Sequence, residues 1–174
     1  MFKKFFRPPQ KGGPQNVFSR SIRHFSRLIG FIAAASVCGC VSSRPLPKAD
    51  ISQPGWTVRQ GQAVWQPPGP KSPEIAGELL LATRPDGSAF VQFTKTPFPF
   101  AIAQISSNHW QLEIPPQNKR YTERGKPSAR IVWFQLVNAL TGKPLAKGWT
   151  WNDSGTNWQL KNSSGESLEG FLSQ

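Results

Sequence analysis

Two cysteines, Cys38 and Cys40, are the residues of this 174-residue chain best placed for covalent chemistry. They end a charge-free, mostly apolar run that covers residues 28–37, and several arginines between residues 20 and 27 precede that run. No acidic residue occurs before Asp50. A basic flank, a short apolar run and small residues are typical of a secretory signal. The sequence therefore predicts an export signal that ends at the cysteines.

The residues Val37-Cys38-Gly39-Cys40 resemble the lipobox of bacterial lipoproteins, in which an aliphatic residue, a small residue and a glycine precede the cysteine. The resemblance implies that Cys40 receives a diacylglyceryl group on its sulfur and that residues 1–39 are removed. It implies further that the new amino group is acylated, and more than one acyl chain makes membrane attachment stable. Val41 in the next position suits the outer membrane, so the implied location is its periplasmic side.

The same run has other interpretations. An uncleaved membrane helix would need about 20 apolar residues, and the sequence turns polar at residues 42–44. A buried helix of a soluble protein would not require a wholly basic leader. The leader itself is long, and Val17 lies at a usual signal-peptide distance from Cys40. Translation that starts at position 17 and a leader that is simply long both fit the sequence.

Removal of the leader changes the charge argument. The whole chain has 21 basic and 9 acidic residues, a net charge of +12, but seven of the basic residues precede Cys40. The remaining 135 residues, the size of one domain, carry 14 basic and nine acidic residues and a net charge of +5. The high pI of the whole chain is thus largely due to the basic residues of the targeting signal. We therefore expect no nucleic-acid partner. We expect a lipidated tether over residues 40–54 and a single periplasmic domain over 55–174.

The domain pattern is mainly one of strands. The first predicted element is a strand at 55–66, in a region rich in proline. A hairpin follows, with strands at 78–83 and 88–95 around the turn Arg84-Pro85-Asp86-Gly87. Two further strands are predicted at 98–105 and 109–114. A polar break follows at 115–127. Residues 128–140 then change to helical spacing, with Ser128 as a possible N-cap, and strands are expected at 148–151, 157–161 and 167–172. The predicted fold class is β-rich α+β, a twisted antiparallel sheet or incomplete barrel with one main helix packed on it.

Catalysis finds little support in the residues. His109 is the only histidine after the leader, and the nine carboxylates are scattered singly. No nucleophile elbow, zinc-binding helix or phosphate-binding glycine loop occurs. Both cysteines lie at the signal, so the domain offers no disulfide and no thiolate metal site. We therefore predict a protein that is not an enzyme and has no metal or cofactor.

The order of a meander, a helix and further strands resembles the LolA/LolB class of lipoprotein carriers. The stretches that carry the resemblance are GELLLATRPDGSAFVQF, SARIVWFQLVNAL and SGESLEGFL, between residues 77 and 174. The resemblance implies a curved, incomplete barrel with a helical lid that holds acyl chains in an apolar cavity. The candidate lining residues are Phe90, Val91, Phe93, Trp110, Leu112, Trp133, Leu136 and Val137. The resemblance to this class also implies an apolar loop that contacts a membrane or a partner. The candidate residues of this loop are Pro97, Phe98, Pro99 and Phe100.

Two functions stay open at this point. In the first, the domain binds the acyl chains of a lipid or lipoprotein, with about 0.8 kcal/mol gained per buried CH₂. In the second, the same aromatic and aliphatic residues fill a solid core, and the domain is a structural or assembly lipoprotein that binds protein or cell-wall partners through its surface. The sequence does not distinguish a hollow interior from a filled one.

Overall fold

A computed structural model describes residues 44–69 and 71–173, which belong to one compact unit. It contains nine strands and one α-helix. The strands are β1 (Thr57–Gln66), β2 (Ile75–Thr83), β3 (Ala89–Lys95), β4 (Phe98–Ile105), β5 (His109–Ile114), β6 (Lys119–Arg124), β7 (Trp149–Asp153), β8 (Trp158–Asn162) and β9 (Ser167–Ser173). The helix, α1 (Val132–Leu140), lies between β6 and β7 in the chain.

All nine strands form one antiparallel sheet in the order β6-β5-β4-β3-β2-β1-β9-β8-β7. Consecutive strands pair from β1 to β6 and from β7 to β9, and β9 pairs with β1 in the middle of the sheet. The sheet is not closed, because β6 and β7 form its two edges. The predicted fold class is confirmed: a β-rich chain with one helix packed on an open antiparallel sheet.

The sheet curves strongly around α1. The helix contacts β8 on one side, while Phe134 of the helix meets Trp110 of β5 at a ring distance of 5.2 Å on the other. Six strand spacings separate β5 from β8 in the sheet, which would be about 29 Å in a flat sheet. A helix with its side chains is only about 10–12 Å wide. The sheet must therefore bend around the helix, which makes the face that α1 covers the concave one.

The turn at residues 84–88 forms for the reason that the sequence indicates. Arg84 N donates to Ser88 O at 2.9 Å, and Gly87 adopts a φ of 87°. That backbone conformation is left-handed, and its free-energy cost is higher for a residue with a side chain than for glycine. The Ser88 amide also donates to the Asp86 carboxylate at 2.8 Å. This contact lowers the pKa of Asp86 below its ordinary value.

Two elements differ from the sequence-based expectation. The polar break at 115–127 contains a short 3-10 helix, Pro115–Gln117, and the edge strand β6. Nearly all side chains of β6 are exposed, so its sequence lacks the alternation of apolar and polar residues that indicates a strand. The helix begins at Val132 and not at Ser128, because Ile131 keeps an extended backbone with φ −94° and ψ 115°. The Ser128 hydroxyl instead accepts from Arg130 N at 3.4 Å, within a turn before the helix.

The outer, convex face of the sheet is partly covered by the beginning of the described chain. Leu46 N donates to the Gln111 side chain at 2.8 Å, and Ala49 N donates to the Gln104 side chain at 3.3 Å. The Gln104 amide in turn donates to Pro47 O at 2.9 Å. The part of the predicted tether that the structure describes therefore lies on the sheet from residue 46 onwards, while Cys40 lies outside the described residues.

Candidate functional site

The concave face under α1 is the candidate lipid site, and it is filled by side chains. Trp133, Leu136 and Val137 of the helix are each at most 2 % exposed, and Phe93 of β3 is fully buried. Val91, Trp110 and Leu112 belong to the same apolar cluster. Seven of the eight predicted lining residues thus come together in one interior. None of them lines a described cavity.

Aromatic rings make up the centre of this interior. Trp133 stacks on Phe93 with a centroid distance of 5.2 Å and an interplanar angle of 29°. Trp133 also meets Trp65 of β1 at a centroid distance of 5.6 Å. Such ring pairs stabilise a fold beyond the area that they bury. In this state of the protein, α1 packs directly on the sheet with its largest side chain in the middle.

Phe90 is the predicted lining residue that the structure places elsewhere. It alternates with Val91 and Phe93 along β3, and successive side chains of a strand point to opposite faces. Its cross-strand neighbour is Gln104, the residue that holds the segment before β1. Phe90 is only 4 % exposed but lies outside the core cluster. It is therefore buried on the convex face and cannot line a space under α1.

The predicted apolar loop divides into an exposed and a buried part. Phe98 begins β4 and is 73 % exposed, while Pro97 and Pro99 flank it in the chain. Phe93 pairs with Ala101 and Thr94 with Pro99, so Phe100 is an extra residue in a β-bulge. Bulges redirect side chains, and Phe100 packs against Trp65 at 5.6 Å. Pro97 and Phe98 are exposed, whereas Pro99 and Phe100 are half-buried.

A buried carboxylate supports the interior from its edge. Glu166 is 7 % exposed and accepts hydrogen bonds from Trp65 Nε1 at 3.1 Å and from Asn162 Nδ2 at 3.0 Å. Burial raises the pKa of Glu166 above its ordinary value, although these two hydrogen bonds act in the opposite direction. The carboxylate positions the Trp65 ring that contacts Trp133. Sequence reasoning missed this role, because a single Glu in a turn carries no pattern.

A second polar residue that the sequence did not reveal is Gln135 on α1, which is 3 % exposed. Its side-chain oxygen accepts from Ala146 N at 3.0 Å. Nearby, Trp149 Nε1 of β7 donates to Ala129 O at 2.9 Å. The first bond attaches the segment after the helix to α1, and the second attaches the segment before the helix to the edge strand β7. Their partners are backbone atoms, which a residue pattern cannot indicate.

A large groove lies where β1, β2, β8 and β9 adjoin, and no residue of α1 lines it. It has a volume of about 840 Å³, and the turns β3–β4 and β7–β8 contribute to its rim. Gln62, Glu78, Gln159, Glu169 and Phe171 are among its lining residues. The size is in the range of small-molecule sites in proteins. Sequence reasoning did not single out these residues as a site.

Within the described part of the chain, no cluster of three or more His, Cys, Asp or Glu side chains is suitable for a metal ion. No helix among the described residues is long and apolar enough to cross a membrane. No protein-family profile matches the sequence, and no curated protein shows significant similarity to it. The fold and its two sites, the filled concave interior and the polar groove, therefore carry the functional argument alone.

Proposed function

We propose that this protein is a lipid-anchored lipoprotein of the periplasmic side of the outer membrane that receives an acyl chain between α1 and the sheet. The observation that carries the proposal is the open sheet. Its edges β6 and β7 do not pair, and α1 covers the apolar concave face. Because the interior is full, an acyl chain would enter by displacing side chains of α1.

Two further features support the proposal. The interior cluster is apolar and rich in aromatic residues, so it would offer an acyl chain only dispersion and the hydrophobic effect. The exposed Phe98 at the start of β4 suits insertion into the interfacial region of a bilayer. No catalytic group is needed for either step.

The test uses the full-length chain with Cys40→Ser, so that an acyl group of its own cannot compete. We expect saturable binding of a fluorescent fatty acid that palmitate displaces. Transfer of the bound probe to phospholipid vesicles should be slower for Phe98→Ser than for the parent. Tyr121→Ser, which replaces another exposed aromatic residue on β6, should leave transfer unchanged. Absence of saturable binding by the parent chain would exclude the acyl-chain function.

The anchor has its own test. Cys40→Ala in the otherwise native chain should abolish incorporation of a labelled fatty acid and leave an uncleaved precursor in the cells. The native chain provides the positive control in the same labelling experiment. A Cys40→Ala protein that still incorporates the label would show that the anchor has been assigned to the wrong residue.

The filled interior specifically favours a second candidate, a structural or assembly lipoprotein that binds its partners through its surface. Here Trp133 and Phe93 serve stability only. This candidate predicts no fatty-acid binding by the parent chain. The same titration therefore separates the two functions.

A further inference from the structure

The segment before β1 crosses the convex face of the sheet in the direction of the edge strand β6. Ala49 N donates to the Gln104 side chain of β4, and Leu46 N donates to the Gln111 side chain of β5. Gln104 and Gln111 pair across these strands, so the segment passes from β4 to β5 as the residue number falls. In the sheet, β6 is the next strand in that direction. The start of the described segment, at Arg44, is therefore directed towards β6.

The hydrogen bonds that hold this segment belong to a network that extends to β6. Gln111 is 5 % exposed, and its Oε1 accepts from Leu46 N at 2.8 Å and from Thr122 Oγ1 of β6 at 3.1 Å. Its Nε2 donates to Glu113 Oε1 at 2.6 Å, and the same oxygen accepts from Arg120 Nε at 3.2 Å. Because the segment is fixed on β5 in this way, an anchor placed ahead of it would also orient the domain.

The proposed anchor at Cys40 lies only four residues before Arg44. An extended chain covers at most about 3.6 Å per residue, so a lipid on Cys40 would hold Arg44 within about 14 Å of its point of attachment. That reach is short compared with the width of a sheet of nine strands. The anchor would therefore place the outer face of β5 and β6, towards which the segment leads, next to the bilayer.

This side of the sheet carries exposed cations, which we call the basic face: Arg44, Lys48, Arg120 and Arg124. On β6, Arg120 pairs with Glu113 and Arg124 with His109, on the same face as Gln111. Arg124 Nε donates to His109 Nε2 at 3.2 Å. Glu113 forms an ion pair with Arg120 at 3.2 Å, but the Arg120 side chain stays 51 % exposed. Its guanidinium can therefore still meet an anion from outside.

The sheet on the other side of α1 has the opposite charge. The helix lies between β5 and β8, so the outer faces of these two strands point away from each other. Residues 44–50 and 109–126 contain six basic and three acidic residues, a net charge of +3, whereas residues 149–173 contain one basic and three acidic residues, a net charge of −2. Acidic lipid headgroups attract cations within about a Debye length of the surface. The position of the anchor and the distribution of charge thus favour the same orientation.

We infer that the basic face binds the acidic phospholipid headgroups of the membrane in which Cys40 is anchored. The inference rests on the lipid anchor of the proposed function and adds which surface of the domain faces the bilayer. Phe98 begins β4 at the same end of the sheet at which β6 begins. The same orientation would therefore bring this exposed ring near the bilayer, while the outer face of β8 and β9 would point away from it.

The experiment uses the native chain, isolated from membranes with its lipid and reconstituted into vesicles. A fluorophore is attached at Gln117→Cys, just before β6, or at Phe171→Cys on the convex face of β9; both positions are exposed. The chain has only two cysteines of its own. Cleavage before Cys40 would remove Cys38 and acylation would block the Cys40 sulfur, so the introduced thiol is free to react alone. Energy transfer to an acceptor on the lipid headgroups then reports how close each label is to the bilayer.

We expect stronger transfer from the label at position 117 than from the label at position 171 in vesicles that contain phosphatidylglycerol. The difference should be smaller in vesicles of phosphatidylcholine alone. It should also fall in about 1 M NaCl, where the Debye length is only about 3 Å. These two comparisons separate binding of acidic headgroups from the effect of the anchor by itself.

The double variant Arg120→Gln with Arg124→Gln tests the basic face directly. Each cation near an acidic leaflet contributes a factor of about five, so the docked orientation should weaken roughly twenty- to thirtyfold and the difference between the labels should shrink. Lys71→Gln with Lys161→Gln is the matched control. It removes the same charge from two exposed positions outside the basic face, and it should leave the difference unchanged.

The possible failures are distinguishable. Equal transfer from the two labels in the anchored protein would overturn this inference and leave the anchor in place. A difference that ignores phosphatidylglycerol and salt, or that the two double variants change equally, would also overturn it, because acidic headgroups would then not be the partner. An unmodified Cys40, seen by mass spectrometry before reconstitution, would overturn the anchor and the orientation together.

Discussion

The concave interior and the polar groove are built by the same strands and yet have opposite character. On β1, Trp65 packs against the interior cluster, while the small Ala63 belongs to that cluster and also lines the groove. On β9, Leu168 belongs to the cluster and Gly170 lines the groove. Within each pair the residues are two positions apart, so they share a face of the sheet. Side-chain size at alternate positions decides where the sheet is filled and where it stays open. A single antiparallel sheet can thus carry a packed core and an open groove side by side.

The largest expected effect is a loss of stability when a side chain of the filled concave interior is removed. Trp133→Ala should lower the free energy of unfolding by about 3–5 kcal/mol, because a large cavity would remain between Trp65 and Phe93. Denaturation in urea of the full-length Cys40→Ser chain measures the loss. The exposed Tyr121→Ala should change stability by no more than about 0.5 kcal/mol. A small loss for Trp133→Ala would mean that the interior is not tightly packed and would remove the contrast between the two regions.

At the groove, the close approach of β1 and β9 can be disrupted by adding a single methyl group. Gly170→Ala should cost about 2–3 kcal/mol, since the new Cβ would meet the backbone of β1 and the two strands would have to separate. Gly155→Ala in the turn between β7 and β8 is the control. Its Cβ would meet no atom within 4 Å, and only the positive φ of 85° opposes it, at about 1 kcal/mol. Equal losses in urea denaturation would show that the close approach of β1 and β9 is not required.

The smallest effect concerns Glu166, which joins the interior to the β8–β9 turn. Because burial raises its pKa, the folded protein binds a proton at this carboxyl more readily than the unfolded chain does. Its contribution to stability therefore rises as the pH falls from neutral towards the raised pKa. Relative to Glu166→Gln, the parent chain should gain stability between pH 7.5 and pH 5. Urea denaturation of both proteins over this range tests it, and parallel curves would contradict the assigned shift.

Several elements followed from local sequence. The predicted bounds of β4 and β5 agree with the structure, and the turn at 84–88 forms around a glycine with positive φ. Seven of the eight proposed lining residues meet in one cluster. Alternation of apolar residues and turn chemistry act over a few residues, and the sequence contains them directly. The same alternation already placed Phe90 opposite Val91, so its inclusion among the lining residues was inconsistent with the pattern.

What the sequence determined by itself is the local level: strands, turns, one helix and an apolar set large enough for a core. Tertiary structure alone decided that α1 fills the concave face, that Phe100 turns inward at a bulge, and that Glu166 meets Trp65 across 101 positions of the chain. It also decided where the small residues of β1, β2 and β9 adjoin to form a groove. The physical reason is that a cavity depends on which residues of distant strands become neighbours. That pairing is set by the packing of the whole sheet and is not contained in any short stretch of the chain.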